Sequence, residues 1–342
     1  MGASRAGLAA RAARRFDEAH PDAARAFGEG SFDVWRKEIE RFLESLEAAI
    51  AHGTEGAWVE EIRWHRASYG SRDVNPDYLV CALEAMAETL EQDLPTPAWS
   101  AVCEAVRRGL EVARQAPAAA DSFIDPSTPA GRVAAEYLVA ALEGDRRRAI
   151  GSVLEAVDRG LPLAEAYLDV LMLAQAEVGR LWHANELSIA EEHAVTATTE
   201  LALSQLYPRI ALPEEVRGTI VAGAIAGDLH DIGVRVTADF LEMEGFRSIF
   251  VGSDVPAAEF ARATVDFGAD LVVIGATRPS NLDRVRDAVA LIHRIEGRRV
   301  PVIVGGRAFS TDPDAWKATG ADGYASDART AVREALRLAP VD

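Results

Sequence analysis

Asp228-Leu229-His230-Asp231-Ile232-Gly233 is the stretch of this 342-residue chain whose residue types and spacing best lend themselves to chemistry. A carboxylate two residues before an imidazole can accept from one ring nitrogen, fix the tautomer and leave the other nitrogen free for a metal. Gly233 admits a backbone or a flat ligand where a Cβ would collide. An Asp–His pair of this spacing also occurs in ordinary loops, so its meaning depends on what the rest of the chain brings to it.

Three other groups of residues have chemistry to offer. Gly305-Gly306 end an apolar run and would leave a floor free of side chains. Trp182-His183 and Glu192-His193 form the pattern W-x9-E-H, in which an indole can roof an apolar ligand and Glu192 and His193 can hydrogen-bond a polar one. Arg63, Trp64, His65, Arg66 and Tyr69 crowd a short segment and could line a pocket for a flat acidic ligand. They fit equally a helix with a Trp-anchored core face and a solvated charged face.

Alternating elements must position the first two groups. Thr219–Ile225, Ser248–Gly252, Leu271–Gly275 and Val300–Gly305 are short apolar runs of the kind buried on both faces of a parallel sheet, with a weaker fifth at Gly323–Ser326. Helical periodicity falls between them at Asp231–Glu244, Ala257–Phe267, Asn281–Glu296, Asp312–Ala318 and Ala328–Leu338. The expected fold is a five-stranded parallel α/β sheet of flavodoxin type over 214–342, with ligands at the strand carboxyl ends. Ahead of it, 127–210 reads as a four-helix bundle: Ala130–Glu143, Arg146–Arg159, Pro162–Ala184 and Ile189–Tyr207. Residues 1–120 read as all-helical, including Phe32–His52 with Ser31 as its cap, Tyr78–Leu94 and Trp99–Arg114. The aperiodic Ala116–Pro129 forms the boundary.

Composition narrows the function classes. With 36 basic and 54 acidic residues the net charge is −18, which argues against direct nucleic-acid binding. The N-terminus has no apolar core of a signal, and no segment suits a membrane span. Cys81 and Cys103 form no metal motif and read as buried thiols of a cytoplasmic protein.

The D-x-H-x-x-G pattern resembles the cobalamin-binding fold, in which the His replaces the cofactor's own base below cobalt. The match extends along the chain. Val251-Gly252-Ser253-Asp254-Val255-Pro256 resembles the L-G-x-x-V-P turn of such domains, placing Gly252 and Val255 at the cofactor, and Gly305-Gly306 follow in order. Where the family has S-x-L beside the buried nucleotide tail, the register here gives Thr277-Arg278-Pro279, and Ser280-Asn281-Leu282 comes three residues late. Thr277 is the preferred source of that hydroxyl, with Ser280 second.

W-x9-E-H above D-x-H-x-x-G resembles the light-sensing cobalamin proteins, over roughly 130–340. That resemblance implies a non-enzymatic cytoplasmic light sensor using adenosylcobalamin. Asp228 would orient His230, the lower cobalt ligand, and Trp182 would cap the adenosyl group held by Glu192 and His193. His183 would become the upper ligand after light, with a change in homo-oligomeric state and a possible protein effector. The helical N-terminal region in place of a DNA-binding domain resembles photocobilins, which implies biliverdin as a second chromophore near Arg63, Trp64, His65, Arg66 and Tyr69. The alternative is a corrinoid protein that ferries a methyl group between methyltransferases and uses the same His230.

Overall fold

The five apolar runs become five strands. In the computed structural model, which describes residues 4–23, 31–53, 55–70, 75–115, 121–310 and 314–339, they are β1 (Thr219–Ala224), β2 (Arg247–Phe250), β3 (Leu271–Gly275), β4 (Val302–Gly305) and β5 (Gly323–Ala325). All pair in parallel, in the order β2-β1-β3-β4-β5. Ala224 lies beside Gly275, and Gly275 beside Gly305, so the ends of β1, β3 and β4 share one row. The strand order reverses between β1 and β3, which is where a doubly wound sheet opens a crevice for a ligand.

The N-terminal region is helical as expected: α1 (Arg5–Ala19), α2 (Ser31–His52), α3 (Glu55–Gly70), α4 (Asp77–Asp93) and α5 (Thr96–Gln115). Their apolar faces meet in a core that includes Phe16, Trp35, Phe42, Trp58 and Leu83. Trp58 is fully buried and donates from Nε1 to the Ala105 carbonyl at 2.9 Å. Its indole rests on bare backbone at Gly109, where a Cβ would come within 2.6 Å of Nε1. Met1–Ala120 together with His183–Glu186 make one compact unit, and Asp121–Trp182 with Leu187–Asp342 make a second. Cys81 and Cys103 are free thiols, half-buried rather than buried. Part of the expected boundary segment, 116–120, lies outside the described residues.

In the second unit the bundle consists of α6 (Pro129–Leu142), α7 (Arg146–Asp158), α8 and α9 (Ile189–Leu206). The expected third helix, Pro162–Ala184, is not regular. It runs as Leu163–Glu165, a π-helical segment Ala166–Met172, and Leu173–His183, which together are α8. Periodicity in the sequence does not reveal a π segment, because one added residue per turn leaves the apolar pattern nearly intact. The α/β helices are α10 (Ile232–Met243), α11 (Ala257–Asp266), α12 (Leu282–Ile292) and α13 (Ala328–Leu338). Asn281–Glu296 therefore contracts to α12 preceded by a 3-10 turn, Pro279–Asn281. Of Asp312–Ala318, the first two residues lie outside the described residues and the remainder enters a 3-10 turn, Ala315–Thr319. No helix among the described residues is long and apolar enough to cross a membrane.

The bundle rests on α10. Val236 and Phe240 join the bundle core, and the Phe240 ring meets Tyr167 of the π segment edge-on at 6.0 Å. Beside this contact the Tyr167 hydroxyl, Asp239 Oδ2 and Glu242 Oε2 are buried. Burial, with a contribution from Glu242, raises the Asp239 carboxyl to about 6 against the opposing effects of Tyr167 and Arg235.

The folded chain thus keeps a proton that an unfolded aspartate releases near 3.8. Stability from this group falls as pH rises from about 4 to about 6, by roughly 3 kcal/mol. Urea midpoints measured across that range should show this fall, and Asp239→Asn, which has no proton to lose, should flatten it.

Candidate functional site

The loop after β1 carries the Asp–His pair, and its geometry follows from burial. The Asp228 side chain is fully buried, whereas that of His230 is 74% exposed. The His230 backbone N–H donates to Asp228 Oδ1 at 3.1 Å, folding the loop back on itself, and Nδ1 lies 2.9 Å from the same oxygen. With Nδ1–H donating there, Nε2 bears the lone pair. It points outward with no hydrogen-bond partner among the described residues.

The loop after β3 completes the grip on Asp228. The Thr277 hydroxyl lies 2.8 Å from each carboxylate oxygen, and the Thr277 backbone N–H donates to Oδ2. Ser280, in the 3-10 turn, makes no hydrogen bond to Asp228, so of the two candidates Thr277 occupies the hydroxyl position. Burial by itself would raise the Asp228 pKa, but the hydrogen bonds from His230 and Thr277 outweigh it and hold the carboxyl below its usual range. The Asp228 hydrogen bond in turn raises the His230 pKa above its ordinary value, opposed by burial.

The loop after β2 is stitched to the same place. Val255 donates from its N–H to Ala224 O at 3.0 Å and accepts from Ala226 N at 2.9 Å. Asp254, with φ +56°, donates to Asp228 O, and its carboxylate accepts from Gly227 N at 2.6 Å. Asp254 has no counterpart among the residues singled out from the sequence. The only hint was its place inside the V-G-S-D-V-P turn. Gly252 and Gly233 each border open space, since a Cβ on either would meet nothing within 4 Å. Asp231 caps α10 through its backbone rather than its side chain.

The glycine pair at the end of β4 lies close against neighbouring backbone. A Cβ on Gly306, at φ +103°, would come within 2.3 Å of Ala276 O, and one on Gly305 within 2.7 Å of Ala325 O. Both glycines are therefore required by neighbouring backbone, whatever lies above them.

Above the loop, α9 begins with a capping box at Ser188 and Glu191, which fixes the first turn that carries Glu192 and His193. Glu192 accepts from Thr196 Oγ1 at 2.9 Å and from the neighbouring His193. Its charge adds to the rise in the His230 pKa. Trp182 is half-buried near the end of α8. His183 packs in the N-terminal unit, its ring 4.7 Å from that of Trp64.

Of the five residues expected around a second chromophore, His65 and Tyr69 meet at Glu38, their rings 6.3 Å apart. Arg63 pairs with Glu60, His65 with Glu38 at 3.0 Å and Arg66 with Asp77, while Tyr69 is buried against Trp35. Arg63 to Arg66 are consecutive on α3, and steps of about 100° per residue aim them around the helix rather than at one pocket.

Comparison with known proteins converges on this site. Residues 218–333 match the family model of a B12 binding domain, and residues 133–207 match that of a second B12 binding domain family. Dimethylamine corrinoid protein 3 of Methanosarcina acetivorans is 32% identical over 195 residues, covering 54% of this chain and 89% of the relative. The dimethylamine corrinoid protein of Methanosarcina barkeri is 32% identical over 187 residues, covering 54% and 82%. In fold, the chain is similar to the monomethylamine corrinoid protein of Methanosarcina barkeri, with TM-score 0.54 at 22% identity, covering 60% of this chain and 98% of that one.

These relatives overturn the light-sensor expectation. They bear the name of dimethylamine corrinoid proteins, in line with the alternative reading. The physical reason is that an imidazole below the metal and a helical cap above it serve any corrinoid carrier. W-x9-E-H over D-x-H-x-x-G therefore does not single out photochemistry.

In the unloaded chain, His230 should titrate above 6.5 by NMR. Asp228→Asn should bring it back toward that value, because the lost charge was what favoured the protonated ring.

Proposed function

We propose that this chain, which belongs to the family of B12-binding corrinoid proteins, carries a methyl group on a bound corrinoid between partner methyltransferases. The observation that carries the reading is the exposed His230 imidazole. Its Nδ1 is anchored on a fully buried carboxylate, and its Nε2 has no protein partner among the described residues. That donor, with open space over Gly233, fits a corrinoid. When bound, the corrinoid supplies a cobalt that takes up and gives up a methyl group.

The chain's own residues do the rest. His230 would hold the metal through Nε2, and Asp228 accepts from Nδ1–H so that the ring keeps one tautomer. Thr277 keeps the carboxylate in place. The bundle, with Trp182, Glu192 and His193, would shield the bound corrinoid from water. Gly252, Val255, Gly305 and Gly306 shape the loops that would receive the nucleotide tail. Activation of the methyl donor belongs to a partner enzyme, and a methylated amine, the class in the relatives' names, is the first donor to assay.

The test is reconstitution with methylcobalamin and adenosylcobalamin in parallel. The chain should take up the methyl form at least as well as the adenosyl form and show the spectrum of histidine ligation. His230→Ala should remove that spectrum and weaken uptake by about tenfold or more, as expected when a ligand bond is lost. Refusal of the methyl form with tight uptake of the adenosyl form would sink the methyl-carrier reading.

A further inference from the structure

Asn281 is only 2% exposed and sits just before α12, across the site from His230. Its side-chain amide donates to Asp228 Oδ2 at 3.4 Å, and its side-chain carbonyl accepts from Arg284 Nη1 at 2.8 Å. Room for this pair comes from the β1 loop. A Cβ on Gly227 would lie 2.8 Å from Arg284 Nη1 and 3.3 Å from Asn281 Oδ1, so bare backbone at Gly227 lets the guanidinium approach. A buried amide left unsatisfied is costly, and here the contacts that satisfy it lead to the carboxylate that holds His230.

We propose that Asn281, held by Arg284, is a positioning residue that sets how strongly Asp228 grips His230 and so how firmly His230 binds cobalt. The inference rests on the reading of His230 as the metal donor. Each donor on Asp228 shares the charge available to the His230 Nδ1–H. Arg284 strengthens the Asn281 amide as a donor by polarising it through its carbonyl. Remove the amide, and the carboxylate pulls harder on Nδ1–H. Nε2 then gains electron density and holds the metal more tightly. Hydrogen bonds of this kind to metal-ligating groups tune affinity and potential.

The experiment uses the full chain loaded with cobalamin. Asn281→Leu keeps the volume and removes the donor. It should favour histidine-ligated cob(II)alamin, read from nitrogen hyperfine structure in its EPR spectrum. The Co(II)/Co(I) midpoint should move negative by about threefold in the equilibrium, roughly 28 mV for a one-electron couple. Arg284→Met, at an exposed position that leaves the core alone, should move the midpoint in the same direction by less, and Arg284→Lys should restore it. These shifts are not expected of a residue that only supports the loop, whose loss would lower uptake and the unfolding midpoint instead.

If Asn281→Leu does not fold, the Arg284 pair decides. An unchanged or positive midpoint in the variants overturns the inference. His230→Ala, measured alongside, separates the two levels. If it leaves the ligation spectrum intact, the metal-donor reading itself has failed. If it abolishes that spectrum while the Asn281 and Arg284 variants keep the wild-type midpoint, only the present inference has.

Discussion

A single buried carboxylate organises the functional half of this protein. Asp228 is out of water, so its charge has to be met by donors, and the donors come from two different strand ends. His230 and its own backbone supply part from the β1 loop, and Thr277 supplies part from the β3 loop. A charge in that position would be costly if any of these were missing. The loops therefore have little freedom to rearrange, and the imidazole that projects from them is held although most of it is exposed. Fixing the anchor rather than the reactive ring leaves Nε2 accessible while its direction is set.

The sheet makes this possible by bringing strand ends level. Because β1, β3 and β4 finish in one row, loops distant in the chain arrive at the same height, and the topological reversal between β1 and β3 opens the gap between them. Asp254 and Val255 add the β2 loop to that assembly through backbone hydrogen bonds. The bundle reaches the same place from the other side. It is seated on α10, the helix that begins directly after the Asp–His loop, so its position and that of His230 share a common support. At that seat the π segment of α8 places Tyr167 against Phe240.

Much of the fold was legible because its signals are local. Strand runs, helix periods and the Asp–His–Gly spacing occupy contiguous residues, and the five strands appeared within a few residues of their expected places. The site was legible where a motif names both partners, as with Asp228 and His230. It was less so where a motif was imperfect. Thr277 and Ser280 both offered a hydroxyl, and only the path of the β3 loop brings Thr277 to the carboxylate. The functional reading went astray for a related reason, since W-x9-E-H describes a cap without saying which chemistry happens beneath it. Arg63, Trp64, His65, Arg66 and Tyr69 share the helix α3, and it is the helical i,i+4 spacing that brings His65 and Tyr69 to the same carboxylate, Glu38.

By itself, then, the sequence determined the alternation of strands and helices, the helical character of its first part and the imidazole best suited to a metal. These depend on periodicity and on neighbours in the chain. Only the tertiary structure decided that Asn281 and Arg284 stand behind Asp228, that Gly306 lies against Ala276, and that α8 carries a π segment. Asn281 is 53 residues from Asp228, and contacts across such a distance are set by strand order and by where each loop leaves the sheet. No local pattern of residue types encodes that.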